Sequence, residues 1–374
     1  MSEDETIESV QRMGRDFRVA AKTLGDAEAR FLVDAYYTFQ EVRKALNNQQ
    51  KQLEKEEPGK KSEPSEVIKY VGGNAKTLES QMKAALDYYS ATHPMGSWMR
   101  AHVGLGPVIS AGLLAHIDIK KAPTVGHIWR FAGLDPSLAW VGRKRAEKAV
   151  AEARGGPPPQ HIGPVPLKFP TKPAVLAALG LEESNLPRWI WDTKTSKDLI
   201  SALSKRPWNA SLKLLCWKLG ESFTKHQNRP GCYYGQIYAK RKVQEIFKNE
   251  AGDFSDQAVA TLIKVKIGKS TDAYRWYSGQ LTAEDSQTFW TSPIGERLNL
   301  ASKLANKPGS GVQMLPPQRI LLRSQRYAVK LFLSHLHHAW YELEYGKPPP
   351  LPYPIAHLGH VHFITPDKAA AKRA

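Results

Sequence analysis

Apolar residues recur along this chain with the period of a helix rather than that of a strand. Leu32, Ala35, Phe39, Val42, Leu46, Gln49 and Leu53 alternate spacings of three and four, which predicts a helix carrying a heptad seam against a partner helix. Asp26 stands where it could cap that helix. A solvated break, EKEEPGKKSEPS at 54–65, separates it from a second seam through Ile68, Val71, Ala75, Leu78, Met82, Ala85 and Tyr89. The pair reads as a helical hairpin over 26–94, with Gly72-Gly73 delaying the second helix by a turn. Such a hairpin serves either as an internal packing unit or as a projecting coiled coil that joins two protomers, and the pattern fits both.

Further along, residues 95–154 read as one segment around GLGPVISAGLLAHI and GLDPSLAWVGRKR. The stretch 155–205 opens with GGPPPQHIGPVPLKFPTKP and reads as a proline-rich connector or insertion. Residues 206–374 return to helical patterns. Asn209 caps SLKLLCWKLGESF, a helix spans about Tyr234 to Asn249, Ser255 caps another that ends at Gly268, and a long helix runs from about Arg319 to Tyr345. Alternating strand patterns are scarce, so the fold class expected is mainly α.

Charge narrows the function. The 374 residues hold 53 Lys+Arg against 36 Asp+Glu, a net +17. Residues 1–94 contain 14 basic and 16 acidic side chains, which leaves 39 and 20 for the remainder, so the whole excess follows the hairpin. A field of that sign favours polyanions through counterion release. With 2 cysteines, Cys216 and Cys232, neither a disulfide framework nor an all-cysteine zinc site can be built. That usage, an acidic opening MSEDETIES without a secretory pattern, and the lack of a long apolar run together suggest a cytoplasmic, nucleoid-associated protein with no membrane partner.

The candidate chemistry is therefore that of binding nucleic acid. Gly104 and Gly106, in Gly104-Leu105-Gly106-Pro107, form a tight turn opening a helix, the arrangement of a helix-hairpin-helix element whose backbone N–H groups meet phosphates; close helix packing explains the same glycines equally well. Arg143, Lys144 and Arg145 make a basic turn. Lys205, Arg206, Trp208, Asn209, Lys213 and Trp217 interleave cations with indoles, which suits looped or single-stranded nucleic acid. Lys240, Arg241 and Lys242, then Arg319, Arg323, Arg326, Tyr327 and Lys330, form basic ridges on helices.

A catalytic constellation is not evident. His335, His337, His338, His357, His360 and His362 gather near the C-terminus, but no carboxylate or cysteine joins them at a metal-binding spacing, so core or surface roles are expected and no metal or other cofactor. No Walker loop, G-x-S-x-G elbow or H-E-x-x-H occurs.

The strings GLGPVISAGLLAHI and HIWRFAGLDP resemble the C-terminal domain of insertion-sequence transposases guided by bridge RNAs. Those transposases also carry an N-terminal RuvC-like domain and a serine nucleophile. Here a heptad hairpin stands in place of the first, and Pro136-Ser137-Leu138 does not match the second. The chain is more similar overall to the nuclease-less Tas proteins of TIGR-Tas systems, which share that ancestry and look like the Nop domain of box C/D ribonucleoproteins. The segments that carry this are 102–136, then KRPWNASLKLLCWK, YGQIYAKRK, RYAVKLFLSHLHH and HLGHVHF. The resemblance implies a Nop-like helical domain behind a coiled-coil hairpin. It further implies a short guide RNA as partner, target DNA paired by that guide, a homodimer through the coiled coil, and no intrinsic nuclease. The rivals are a divergent transposase or nuclease, and an architectural protein binding duplex DNA without sequence preference.

Overall fold

The computed structural model describes residues 14–56, 66–155, 169–250, 252–254, 256–258, 315–357, 364 and 366. Thirteen α-helices run through them: α1 (Arg15–Ala20), α2 (Asp26–Glu56), α3 (Glu66–Ala91), α4 (Pro94–Arg100), α5 (Pro107–His116), α6 (Val125–Phe131), α7 (Arg143–Ala153), α8 (Lys172–Leu179), α9 (Ser196–Ser204), α10 (Ala210–Lys225), α11 (Tyr233–Glu250), α12 (Pro317–Tyr345) and α13 (Tyr353–His357). The chain is mainly helical, and no strand occurs among the described residues. The helix expected from Ser255 to Gly268 lies almost wholly outside them.

The described helices belong to two compact units, each drawn from separated stretches of chain rather than from consecutive blocks. The first takes Met1–Tyr89, Ala111–Cys216 and His337–Ile364; the second takes Ser90–Ser110, Trp217–Leu336 and Thr365–Ala374.

In the first unit, α2 and α3 form the expected hairpin. Arg43 grips Glu79 across it, Nε to Oε2 at 2.6 Å and Nη2 to Oε1 at 3.2 Å, while the Tyr89 hydroxyl donates to Asp26 Oδ1. The Arg43 guanidinium holds the Glu79 carboxyl below the usual carboxylate range. Two expectations need correction. Of the seam residues Ala75 and Ala85 are buried, whereas Val42 and Val71 stay exposed, so the apolar stripe is covered only in part. Gly72-Gly73 does not delay α3, which starts at Glu66 and runs straight through. Hydrogen bonding and neighbouring turns carry the helix across them, although each glycine there costs about 1 kcal/mol relative to alanine.

Residues 169–205, part of the stretch read as a proline-rich connector or insertion, hold the helices α8 and α9. Val175 and Leu179 of α8 and Leu199, Ala202 and Leu203 of α9 close a core with Val141, Ala146, Ala149 and Val150 of α7 and its approach. Apolar spacings of three and four in AVLAAL and LISAL supply that face once a partner helix is present. Pro173 starts α8, and Gly180, in the left-handed region at φ 60°, ends it.

The second unit is centred on aromatic rings. Phe223 of α10, Tyr234 of α11 and Phe332 of α12 meet with centroids 5.1–6.0 Å apart, and Trp98 of α4 and His102 join them. Tyr234 Oη lies 2.9 Å from His335 Nδ1 within this core. Gly235 is required: a Cβ there would stand 2.8 Å from the Gln227 backbone.

Candidate nucleic-acid interface

In the second unit, α11 and α12 bring Arg241 together with Arg323 and Tyr327, with Arg319 and Arg326 beside Arg323; Lys240 and Lys242 flank Arg241 on α11, and Lys330 lies one turn beyond Arg326 on α12. The joint is Glu245, whose side chain is 2% exposed. Its carboxylate accepts from Arg241 Nη2 and from Arg323 Nε, the latter at 2.6 Å. Arg241 also lies over the Tyr327 ring, 4.5 Å from its centroid, and Arg323 over Phe254 at 4.1 Å while donating to Gln257 Oε1. One buried acid therefore fixes two guanidiniums, and the remaining cations exceed it.

That excess is felt electrostatically. Arg326 is at the surface, yet the protein around it removes part of its solvent, and with Arg323 and Arg319 beside it the guanidinium pKa falls below its ordinary value. Partial burial likewise pulls Lys242 down. Arg319, Arg323, Arg326 and Lys330 follow one another along α12 at steps of four, three and four, one ridge about 16 Å long at 1.5 Å per residue. Like charges gathered on one face repel, and an anion spanning them would relieve that repulsion.

In the first unit, Lys205, Arg206, Trp208, Asn209 and Lys213 are also brought together. Asn209 caps α10, its Oδ1 accepting from Leu212 N at 2.8 Å, and its own N–H donates to the Phe131 carbonyl at 2.9 Å. Gly133, at φ 64°, packs its bare backbone on Trp208: an added Cβ would lie 2.7 Å from Cγ. Lys213 Nζ stands 3.8 Å from the Trp208 ring centroid. Trp208 is thus engaged within the protein. An exposed indole near these basic residues is Trp140, with the Arg206 guanidinium 5.1 Å from its ring and its Nε1 donating to the Ser204 carbonyl at 3.0 Å. Sequence reasoning passed over Trp140, although it stands three residues before the basic turn, where the same interleaving of aromatic and cation was available.

That turn begins α7. Arg143 and Lys144 are exposed, Arg143 pairing with Glu147 at 2.8 Å, and Arg145 donates to the Leu179 carbonyl at the end of α8. Two of its three cations are therefore partly engaged, Arg143 within α7 itself and Arg145 by the end of α8. Trp217, in the second unit, is exposed with Lys218 over its ring at 5.1 Å.

The glycine turn before α5 is divided in its use. Gly104, at φ 101°, is packed against α10: its carbonyl accepts from the Ser222 hydroxyl, and a Cβ would stand 3.3 Å from that oxygen. The neighbouring Val103 carbonyl accepts from Cys232 Sγ. Close packing accounts for Gly104. Gly106 is exposed with open space at its Cβ position, so packing does not account for it.

The C-terminal histidines have protein partners: His335 meets Tyr234, His337 Nε2 the Ala122 carbonyl at 2.8 Å, and His338 Nε2 the Glu342 carboxylate at 3.0 Å. His360 and His362 lie outside the described residues. Among those described, no three His, Cys, Asp or Glu side chains gather as a metal site would require. No described helix is long and apolar enough to cross a membrane. Comparison of the chain with protein-family models, with curated proteins and with solved structures found no match.

Proposed function

We propose that this protein binds RNA along the α11/α12 ridge and acts as the protein part of an RNA-guided, DNA-targeting ribonucleoprotein without a nuclease of its own. The observation that carries the RNA-binding reading is that Arg241 and Arg323 share one buried carboxylate, Glu245, with Arg319 and Arg326 beside Arg323. Guanidiniums held in place by Glu245 and by aromatic rings meet phosphates with little ordering cost. The exposed Trp140 under Arg206 supplies a flat surface of the kind on which unpaired bases stack. The guide role rests on the sequence resemblance to Tas proteins; in it the RNA, not the side chains, chooses the target by pairing.

The test is purification at moderate salt followed by extraction and sequencing of bound nucleic acid. A discrete short RNA is expected, and Arg319→Ala with Arg326→Ala should lower its retention without lowering the melting temperature. A chain that emerges free of nucleic acid and fails to bind single-stranded RNA refutes the proposal. Equal affinity for random duplex DNA and for single-stranded RNA would favour an architectural role instead.

A further inference from the structure

The hairpin of the first unit carries a feature that its packing does not explain. Two cavities of about 390 and 580 Å³ lie along α3 and adjoin at Gly73 and Lys76. Arg43, Asn47, Lys69 and Gly72 line the first, and Arg18, Ser80 and Gln81 line the second; among the described residues no carboxylate lines either. This cationic furrow sits in the one quarter of the sequence whose overall balance is acidic.

Its floor is the diglycine. Glycine in mid-helix is disfavoured, and at Gly112 and Gly220 a close neighbour, Leu215 and Gln325 respectively, accounts for it. At Gly73 a Cβ would meet nothing within 4 Å, and at Gly72 only Leu46 Cδ1 at 3.7 Å. Neither conformation nor packing asks for glycine there. Bare backbone facing a polar furrow does serve one purpose, the close approach of a ligand.

We propose that the furrow binds the phosphodiester backbone of a single nucleic-acid strand, which passes over Gly72 and Gly73 between Lys69, Lys76 and Arg18. The proposal rests on the reading of the chain as a nucleic-acid binder and adds a site remote in sequence from the α11/α12 ridge. Lys69 and Lys76 are two helical turns apart, about 10 Å. Lysine, arginine, asparagine, serine and glutamine are the side chains that position sugar-phosphate chains, and they supply this wall. A bound peptide would instead seek apolar anchor pockets, and the apolar lining is confined to Leu46, Ile68 and Ala84. Arg43, already clamped by Glu79, contributes shape more than charge.

Fluorescence anisotropy of the full chain with a labelled single-stranded RNA, titrated across salt concentrations, tests this. Lys69→Ala with Lys76→Ala should weaken binding and flatten the log K against log salt slope by about 1.4, at 0.7 per lost contact. Gly73→Leu fills the furrow with charge unchanged, and should weaken binding while the melting temperature stays level or rises. If these variants bind like the parent while Arg319→Ala with Arg326→Ala loses affinity, the furrow proposal falls and the ridge stands. If the parent binds no RNA, both fall. If labelled poly-glutamate binds as tightly and is lost in the same variants, the furrow takes acidic polypeptide and the proposal is overturned.

Discussion

Replacing Glu245 by glutamine should separate stability from binding, because the two depend on that carboxylate with opposite sign. Its side chain is 2% exposed and faces Arg241 and Arg323, which are 26% and 34% exposed. Breaking a buried ion pair costs about 3–5 kcal/mol, since a charge is left desolvated and unpaired. Here the stranded charges are partly hydrated and glutamine retains one carbonyl acceptor, so the cost reduces to about 2 kcal/mol. For a unit of this size, that corresponds to a fall of about 4–8 °C in melting temperature. The ridge meanwhile gains one net positive charge, so RNA affinity at low salt should hold or increase. Differential scanning calorimetry and anisotropy titration on the same preparation measure both. A variant that melts with the parent, or that binds RNA less tightly while still folded, would refute the reasoning.

Four other outcomes are expected. Gly133→Ala places a methyl against the Trp208 ring from a left-handed backbone, and should cost about 2–4 kcal/mol in urea unfolding; a loss below about 0.5 kcal/mol would count against the contact. Arg326→Ala removes one surface cation, so the salt slope for single-stranded RNA should drop by about 0.7 with stability unchanged, and an unaltered slope would exclude Arg326 from the interface. Burial pushes the Cys216 thiol up to about 12, so it should resist Ellman's reagent at neutral pH until the chain unfolds; rapid native labelling of Cys216 would contradict its placement. Burial, aided by Arg30 at His116 and opposed by the Ala122 carbonyl at His337, lowers both histidine pKa values below 6.5. Between those folded values and 6.5 the unfolded chain binds more protons, so stability should fall as pH drops below about 7, and His116→Gln with His337→Gln should flatten that profile; an unchanged profile would refute it.

Much of the secondary structure was legible because it rests on local chemistry. The α2/α3 hairpin, the Asn209 cap, α11 and α12 were marked by apolar period, cap residues and proline stops, all of which act within a turn or two. The helices α8 and α9 within 169–205 were not legible, because prolines crowd the stretch that leads into them and their apolar face becomes meaningful only against α7. Trp208 looked like a free stacking surface from its neighbours in sequence, but Gly133, 75 positions away, occupies it. The cations of the ridge were visible one helix at a time; Glu245, which binds two of them, was one acid among 36.

The amino-acid sequence by itself determined the helical class, the placement of most helices and the concentration of positive charge beyond residue 94, because each follows from residue type and near-neighbour spacing. Only the tertiary structure decided which basic residues share a surface, which aromatic rings remain exposed and where glycine leaves an open furrow. Those depend on contacts between residues far apart along the chain, and such contacts leave no periodic trace in it.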